Sequence, residues 1–387
     1  MTEIPLRYGC NPNQDSARVV LPDVQRPPLR VLNGEPSYIN VLDALTGWQL
    51  VRELAAVTRK PAAASYKHAS PAGAAVAAPI SEAFARSQWI ENSPTDAVAQ
   101  AYVRARGADR VSSFGDAAAV SHAVTFELAW HLKTEVSDLI IGPGYEPEAL
   151  DILRSKKRGR YLVLEVDPGF EPPQRERRDL FGLTLEQTRN DQAVDRDLLD
   201  PNGALPDEVV ETLIVATTAL KYAQSNSVCV AWEGQVIGLA AGQQSRIHCT
   251  RLASDKAERW MLQTHPKVLE LDLPPDLDRP ERSNAAQQFI LWDHLSHQER
   301  DQLRALLPSE PTPLTPEERT DWFTRFDNLC LSSDAFIPFR DNIDRAARTG
   351  IRYVAHAGGA VRDEGIRAAA QEHGITVIET GARFFLH

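Results

Sequence analysis

The amino-acid sequence predicts an α/β protein made of two similar units. Helical patterns alternate with short apolar runs along most of the 387 residues, and this alternation is typical of α/β folds. The two halves share the same rhythm of helices and strands, which favours a duplicated unit. A polar, mainly helical stretch interrupts the second half. We therefore expect a first domain over 1–175, a second over 176–262 plus 327–387, and an inserted smaller helical subdomain over 263–326.

The first half supplies helices and strands in alternation. Apolar residues recur at helical spacing over 40–55, and Asn40 is placed to cap that helix at its N-terminus. The alanine-rich run from Ala62 predicts a strand over 62–66. Further along, the patterns predict a helix over 124–133, a strand over 139–141, a helix over 146–154 and a strand over 161–166. Proline and charged residues over 167–178 predict a connection between the halves.

The second half repeats the pattern. A helix is predicted over 207–222, and apolar runs over 227–232 and 235–240 flank Glu233-Gly234, a dipeptide that favours a β-hairpin turn. A helix over 245–264 follows. The C-terminal part is regular again, with a helix over 342–348, a strand over 351–355, a helix over 364–373 and a strand over 375–379.

Composition excludes several classes of protein. The chain carries 42 Lys and Arg against 53 Asp and Glu, a net charge of −11, and this disfavours binding to nucleic acids. No apolar run approaches the ~20 residues that cross a membrane, and polar residues interrupt any signal-peptide core over 1–20. The four cysteines are far apart and form no CxxC pair. This argues against zinc and disulfides and favours a reducing cytosol, so we expect a cytoplasmic protein.

The strongest chemical signal is the segment SYKHASPAG, from Ser65 to Gly73. Adjacent Lys67 and His68 close the predicted strand before the chain turns. Ligands of open α/β sheets bind at this edge, outside the carboxyl ends of the strands. Histidine titrates near neutral pH, and beside a fixed positive charge it suits proton transfer and activation of an amine. The alternative is a solvated Lys67 and a His68 that caps a loop.

Other polar clusters also interrupt apolar structure. Arg7 and Tyr8 suit a phosphate, or else lie on the surface. The turn at Ser112–Asp116 has small residues, so its backbone can approach a planar ligand. Asn226 suits recognition of an amide, or else belongs to an ordinary helix-terminating turn. The stretch Gly242–Arg246 opens a helix whose N–H groups favour an anion, but it is neither GxGxxG nor a P-loop.

Aromatic residues are concentrated near the C-terminus. In the loop over 334–342, Phe336 and Phe339 bracket a proline, and such a loop can form a flat apolar slot for a fused-ring ligand. The chain closes on Arg-Phe-Phe-Leu-His over 383–387. This composition is unusual for a frayed tail, so we expect the C-terminus to be tucked into a site.

These segments, taken in order, resemble one known family. The matching stretches are RYGCNPNQ, SYKHASPAGAAV, AYVRARGADRVSSFGD, EVSDLIIGPGYEPEAL, KYAQSNSVCVAWEGQVIGLAAGQQSRIHCTRLASDKA, SSDAFIPFRDNIDRA and RFFLH. They are collinear and extend over essentially the whole chain, so their joint specificity is high. They resemble the transformylase domain of the bifunctional purine-biosynthesis enzyme, which formylates 5-aminoimidazole-4-carboxamide ribonucleotide (AICAR).

The resemblance implies a fold, a reaction and an assembly. The fold is a cytidine-deaminase-like three-layer α/β/α domain, present twice, without the deaminase zinc. The reaction is formyl transfer from 10-formyltetrahydrofolate to the 5-amino group of AICAR, in IMP biosynthesis. The assembly is a homodimer whose active sites are shared between subunits. The chain starts directly at the transformylase motif, so we expect a separate IMP cyclohydrolase to close the ring.

The resemblance also implies residue roles. Lys67, His68 and Asn226 are implied to be catalytic, with His68 accepting the amine proton and Lys67 stabilising the oxyanion and the leaving nitrogen. Asn226 and Arg246 are implied to hold the carboxamide. The residues implied to bind AICAR are Arg7, Tyr8, Arg246, Arg383, Phe385 and His387. Those implied to shape the folate slot are Ser113, Phe114, Gly115, Asp138, Ile247, Asn284, Phe336, Pro338, Phe339 and Asp341.

Some relatives hold K⁺ near the residues that match Ser225, Ser227 and Asp334. Ala223 stands where those relatives carry a threonine, which weakens the expectation of K⁺ here. Two other functions stay open: a paralogous formyltransferase that acts on a related amine, and a non-catalytic nucleotide-binding relative. The Lys67-His68 pair favours an enzyme, because a pure binder needs no base.

Overall fold

The structure is a computed structural model that describes residues 3–387. The strands are β1 (Glu3–Pro5), β2 (Arg18–Val20), β3 (Leu29–Asn33), β4 (Ala62–Lys67), β5 (Ser70–Val76), β6 (Asp116–Val120), β7 (Ser137–Gly142), β8 (Leu162–Val166), β9 (Arg175–Leu180), β10 (Leu183–Thr188), β11 (Val228–Trp232), β12 (Gln235–Ala240), β13 (Cys330–Ser333), β14 (Tyr353–His356) and β15 (Thr376–Glu379).

Helices lie between most of these strands. They are α1 (Tyr38–Thr58), α2 (Glu82–Ser87), α3 (Ala97–Gly107), α4 (Phe126–Lys133), α5 (Pro147–Ser155), α6 (Arg196–Leu199), α7 (Asp207–Lys221), α8 (Arg246–Leu262), α9 (Pro266–Leu269), α10 (Arg279–Ile290), α11 (His297–Leu306), α12 (Pro316–Phe323), α13 (Asp341–Thr349) and α14 (Asp363–His373). The predicted helices and strands are all present, with ends shifted by a few residues.

Eleven strands form one sheet, in the order β15-β14-β13-β11-β12-β5-β4-β6-β7-β8-β3. The order β12-β11-β13-β14-β15 repeats the order β5-β4-β6-β7-β8, so each half contributes a hairpin followed by three mutually parallel strands. The two repeats join where β12 pairs antiparallel with β5, at Gln235 and Ala75. This topology confirms the predicted duplication of an α/β unit.

Helices cover both faces of the sheet and give three layers. Helices α1 and α7 pack on one face, over a single apolar core that spans both repeats. On the other face, α3, α4 and α5 cover the first repeat, and α8, α13 and α14 cover the second. Strands that are covered on both faces become continuous apolar runs, which is why β4, β6 and β7 are rich in Ala, Ile and Val. The predicted α/β/α layering is confirmed.

Helix α1 corrects one sequence-based prediction. Asn40 is not its N-cap, because the helix starts at Tyr38 and is capped by Ser37. Asn40 is instead the third residue of a capping box. Its Oδ1 accepts the Ser37 N–H at 3.0 Å, and the Ser37 hydroxyl accepts the Asn40 N–H at 3.4 Å. The buried stripe of this helix is apolar except for Asp43, which is 7% exposed.

Some elements have no signal in the sequence pattern. Helix α3 and strands β5, β6 and β13 lie in alanine- and serine-rich stretches with little periodicity. The predicted connection over 167–178 is wrong in its last part, because β9 begins at Arg175 and pairs with β10. Both strands of that hairpin are exposed throughout. Without a buried face, a strand shows neither a continuous nor an alternating apolar pattern.

The helices between α8 and β13 form a core of their own. Helices α9 to α12 surround a cluster that includes Phe289, Ile290, Trp292 and Leu303. Arg279, at the start of α10, donates to Glu135 at 3.1 Å and thereby links this unit to the first repeat. The domain boundaries given above stay a prediction.

Candidate active site

A polar cleft of about 570 Å³ opens where the two repeats meet. Three segments form its walls: the turn between β4 and β5, the link between α7 and β11, and the link between β12 and α8. The C-terminal residue completes it. The lining residues are His68, Ser70, Gln224, Ser225, Asn226, Ala241, Gly242, Gln243, Gln244 and His387. Three of the predicted site residues, His68, Asn226 and His387, therefore share one cleft.

His68 and Ala69 form a two-residue hairpin turn. Lys67 pairs with Ser70 across it, and the backbone φ angles of His68 and Ala69 are 54° and 60°. Both central residues are thus left-handed, as a type I′ turn requires, although neither is glycine. The carboxylate of Asp43 accepts the His68 N–H at 3.0 Å and the Ala69 N–H at 2.8 Å. The turn presents the His68 side chain at the exposed mouth of the cleft.

The facing wall is held together by backbone and amide hydrogen bonds. Asn226 donates from its Nδ2 to the carbonyl of Gln243 at 2.7 Å, and its N–H donates to the same carbonyl at 3.1 Å. The Asn226 Oδ1 accepts no hydrogen bond from residues 3–387. The Gln224 N–H donates to the Ser70 hydroxyl at 3.4 Å, which ties this wall to the His68 turn. Asn226, which has an unused acceptor atom, and His68, the candidate base, therefore line the same cleft.

A buried ion pair lies beneath the Asn226 wall. Arg246, 7% exposed, pairs with Asp334, 1% exposed, and also donates to the Ser227 carbonyl at 2.9 Å. The Asp334 Oδ2 accepts the Ser225 hydroxyl at 2.8 Å and the Ser227 N–H and hydroxyl at 2.8 and 3.0 Å. Arg246 does not line the cleft, as far as residues 3–387 show. Its side chain supports the wall from behind.

This donor set does not fit the K⁺ ion that the resemblance implies. Oδ1 of Asp334 is taken by the guanidinium of Arg246, and Oδ2 already accepts three hydrogen bonds. A cation here would also stand beside a buried positive charge, which costs free energy.

The C-terminal tail is anchored to the same wall. The Leu386 N–H donates to the Ala223 carbonyl at 3.0 Å, and the Leu386 carbonyl accepts the Ser225 N–H at 3.2 Å. Phe384 is buried, and its N–H donates to the Asp334 carbonyl at 2.9 Å. The rings of Phe385 and His387 lie 4.8 Å apart. The expectation of a tucked C-terminus is confirmed, and it brings His387 to the cleft.

Lys67 joins the His68 turn to a second turn. Its ammonium group donates to the carbonyl of Phe114, in the predicted folate turn Ser113–Gly115. Phe114 is 48% exposed, whereas Ser113 is buried and shares a hydrogen bond of 2.8 Å with Ser65 of β4. Asp138 lies beside this turn, because a Cβ on Gly115 would stand 3.4 Å from its Oδ2. Four predicted folate residues thus lie together, next to Lys67.

A network of buried charges fixes this second turn from below. Asp116 pairs with Arg106 at 2.7 Å and accepts the Ser65 hydroxyl at 2.8 Å. Burial alone would raise the pKa of Glu135, but Arg110, Arg106 and Arg279 outweigh it and lower that pKa to about 2. Ion pairs with such partners favour the charged carboxylate. These contacts connect the start of β6, which follows the turn, to α3 and β4.

The predicted aromatic slot forms a separate surface. Phe336 and Phe339 are 36% and 51% exposed, with the guanidinium of Arg383 5.6 Å from the first ring. The loop is held from within, because the Ile337 N–H donates to Nδ1 of buried His356 at 3.3 Å. Pro338 lies between the aromatic residues and Asp341 starts α13.

Most of the other predicted site residues lie away from the cleft, among them Arg7, Tyr8, Ile247 and Asn284. Arg7 donates to the Asn40 Oδ1 at 3.4 Å and stacks 5.5 Å from the ring of Tyr8. Ile247 lies in the first turn of α8, and Asn284 is exposed on α10. Within one chain, the arginines predicted to bind AICAR therefore lie in different places, because Arg7 contacts Asn40 of α1 and Arg383 lies over the ring of Phe336.

The comparison with known proteins decides the family. The family model described as AICARFT/IMPCHase bienzyme matches residues 1–256. The chain belongs to this family. Proteins named Bifunctional purine biosynthesis protein PurH, from Persephonella marina and Roseobacter denitrificans, are 28% and 29% identical to it. Each match covers 99% of this chain and 59% of the relative, so the chain spans under two-thirds of the length of these relatives.

Within residues 3–387, no group of three or more His, Cys, Asp or Glu side chains could hold a metal ion. None of the described helices is long and apolar enough to span a membrane.

The sequence analysis missed Asp43 as part of the site. A signal was present, because Asp43 is an acidic residue on the buried stripe of a helix, and a buried charge needs a partner. Ser70 and Gln243 lie in the stretches Ser65–Gly73 and Gly242–Arg246 that the sequence did indicate, although neither was named individually.

Proposed function

We propose that this chain transfers the formyl group of 10-formyltetrahydrofolate to the 5-amino group of AICAR. The observation that carries the proposal is the cleft in which His68 faces the amide wall of Asn226 and Gln243. Membership of the AICARFT/IMPCHase family supports the choice of AICAR.

The acceptor amine needs both orientation and a base. Its lone pair is conjugated with the imidazole ring and the carboxamide, so it is a weak nucleophile. The Oδ1 of Asn226, which accepts no other hydrogen bond from residues 3–387, receives an N–H of the carboxamide or of the amine. Holding two reactants in attack geometry contributes much of the acceleration in such reactions.

The reaction needs no covalent enzyme intermediate. The amine nitrogen attacks the formyl carbon, and the bond between that carbon and N10 of the folate breaks. His68 accepts the proton that the amine loses, and the folate nitrogen takes up a proton as it leaves. Lys67 stabilises the negative charge that develops on the formyl oxygen. Its hydrogen bond to Phe114 places this cation between the His68 turn and the folate turn.

The remaining ligand contacts come from the neighbouring surfaces. The exposed rings of Phe114, Phe336 and Phe339 supply apolar area for the fused rings of the folate. The positive side chains of Arg7 and Arg383 supply charge for the phosphate. We further propose a homodimer that brings these surfaces together.

Formation of tetrahydrofolate tests the proposal directly. The purified chain is mixed with 10-formyltetrahydrofolate and AICAR, absorbance follows tetrahydrofolate, and mass spectrometry identifies the product. We expect formyl-AICAR. A parallel reaction without AICAR corrects for hydrolysis of the donor.

Two outcomes would overturn the proposal in different ways. Turnover with a related amine but not with AICAR would indicate a paralogous formyltransferase. Tight AICAR binding without turnover would indicate a binding protein. Calorimetric titration with AICAR in the same preparation distinguishes these cases from loss of fold.

A further inference from the structure

The His68 turn is unusual among the hairpins of this protein. Three two-residue hairpin turns occur in the described part of the chain, and in each both central residues have positive φ. Two of them carry glycine at the second position, in Phe181-Gly182 and Glu233-Gly234. The third, His68-Ala69, carries none. A left-handed backbone is unfavourable for any residue with a Cβ, so this turn needs support from elsewhere.

Asp43 supplies that support. Each oxygen of its carboxylate accepts one N–H of the turn, from His68 at 3.0 Å and from Ala69 at 2.8 Å. The carboxylate reaches the turn from α1 and is buried. Two adjacent amides that point at one carboxylate fix the direction of both peptide planes.

The second repeat shows a similar contact at a turn that has one left-handed residue with a Cβ, Glu233, instead of two. Asp43 is the sixth residue of α1, and Thr212 is the sixth residue of α7, the corresponding helix. The Thr212 hydroxyl accepts the N–H of Gly234 at 3.0 Å, in the corresponding turn. A single neutral acceptor serves the glycine turn. The charged, two-armed acceptor occurs only where the turn carries His68, among these two repeats.

We propose that Asp43 is a positioning residue: its carboxylate holds the His68-Ala69 turn left-handed and so sets the direction of the His68 imidazole into the cleft. The inference rests on the proposed formyl transfer for its catalytic half. Its structural half, the fixing of the turn, stands independently. Asp43 is buried and is not among the residues that line the cleft, so it would act on the reaction only through His68.

The test compares Asp43→Asn with Asp200→Asn. Asp200 is a matched control: its buried carboxylate also accepts two adjacent backbone N–H groups, those of Ala204 at 2.8 Å and Leu205 at 3.2 Å, in a turn before α7. It lines no part of the cleft. Asp43→Asn keeps the shape of the side chain but replaces one acceptor by a donor. A double variant combines Asp43→Asn with Ala69→Gly. The glycine relieves the strain of the left-handed backbone at residue 69.

The expected result is a split between turnover and binding. Misorientation of the base should lower kcat about ten- to a hundredfold in Asp43→Asn, with the calorimetric Kd for AICAR within about twofold of wild type. Asp200→Asn should change neither, although it loses similar hydrogen bonds. Adding Ala69→Gly should restore at least part of the lost kcat. Equal kcat in wild type and Asp43→Asn would overturn the inference, as would parallel changes in kcat and Kd.

Amide hydrogen exchange of the peptide that spans 66–70 tests the fixing of the turn independently of enzyme activity. We expect exchange at His68 and Ala69 to be at least tenfold faster in Asp43→Asn than in wild type, and unchanged in Asp200→Asn. Unchanged exchange would refute the fixing of the turn whatever the activity. If wild type binds AICAR without turnover, the proposed function and the catalytic half fail together, and exchange still decides the structural half.

Discussion

The corresponding hairpins of the two repeats, β4–β5 and β11–β12, are built differently. The first turn, His68-Ala69, lacks glycine, is held by the buried carboxylate of Asp43 and opens onto the cleft. The second, Glu233-Gly234, uses glycine at φ 68° and packs closely, since a Cβ on Gly234 would stand 2.9 Å from the Val76 side chain. Backbone strain that persists in a fold is often found at functional sites. The comparison of the two repeats therefore favours the His68 edge as the place of the proposed reaction.

The Asn226 wall of the cleft and the Glu233-Gly234 turn are each supported by a buried arginine, but in different ways. Arg246, behind the cleft, is paired with Asp334. Arg104, behind the second hairpin, donates instead to the backbone carbonyls of Val76 and Glu233. Burial outweighs the nearby carboxylates of Glu233 and Glu211 and lowers the pKa of Arg104 to about 10. The cleft therefore depends on a charge pair, and the second turn on neutral acceptors.

The largest stability effect is expected from removing the arginine behind the cleft. Arg246→Met leaves Asp334 as a buried, uncompensated charge and should lower the free energy of unfolding by about 3–5 kcal/mol. Arg104→Met leaves two neutral carbonyls without a donor and should cost about 1–3 kcal/mol. Urea denaturation with linear extrapolation measures both. Equal losses would contradict the distinction between the two arginines.

A smaller effect is expected from exchanging glycine and alanine between the turns. Gly234→Ala forces a side chain into a left-handed position and against Val76, and should cost about 1–3 kcal/mol. The reverse exchange, Ala69→Gly, relieves strain but adds freedom to the unfolded chain, so stability should change by less than about 1 kcal/mol. Thermal and urea unfolding of the two variants give the comparison. A larger loss in Ala69→Gly than in Gly234→Ala would refute the assignment of strain to the first turn.

The smallest effect is a pH dependence of the first turn. Burial raises the pKa of Asp43, although the amides of Ala69 and His68 and the charge of His68 oppose the shift. The folded state therefore binds more protons than the unfolded state between pH 3.8 and the raised pKa. Wild-type stability relative to Asp43→Asn should fall as pH rises through that window and level off above it. Urea denaturation at a series of pH values from 4 to 7 measures the difference in stability between the two proteins. If that difference rose with pH, the pKa of Asp43 would be lowered in the folded state, and this would contradict the raised pKa.

Much of the fold was predictable, because the amphipathic helices and apolar strands of both repeats carry strong periodic patterns. The dipeptide Glu233-Gly234 predicted a hairpin turn because its second residue is glycine. His68-Ala69 gave no such prediction, because its left-handed backbone depends on Asp43, which lies on a helix distant in the sequence. The exposed β9–β10 hairpin escaped prediction because it has no buried face.

The site was predictable in part. Lys67, His68 and Asn226 stood out as polar groups at the ends of apolar strands, and the structure brings His68 and Asn226 to one cleft. Arg246 also stood out in the sequence, at the start of a helix that follows a strand. Its pairing with Asp334, however, depends on a contact across 88 positions of the chain. No local pattern encodes such a contact. The roles assigned to the individual site residues stay predictions.

The most direct test of the central claim compares His68→Ala with Glu233→Ala. Both variants change the first central residue of corresponding turns, and alanine already occupies a left-handed position at residue 69, so the turn should survive. Measured as tetrahydrofolate formation with AICAR, His68→Ala should lose about 10²- to 10⁴-fold in kcat and keep the calorimetric affinity for AICAR, while Glu233→Ala should match wild type. Near-normal turnover in His68→Ala, in a wild-type background that formylates AICAR, would remove His68 from its role as the base.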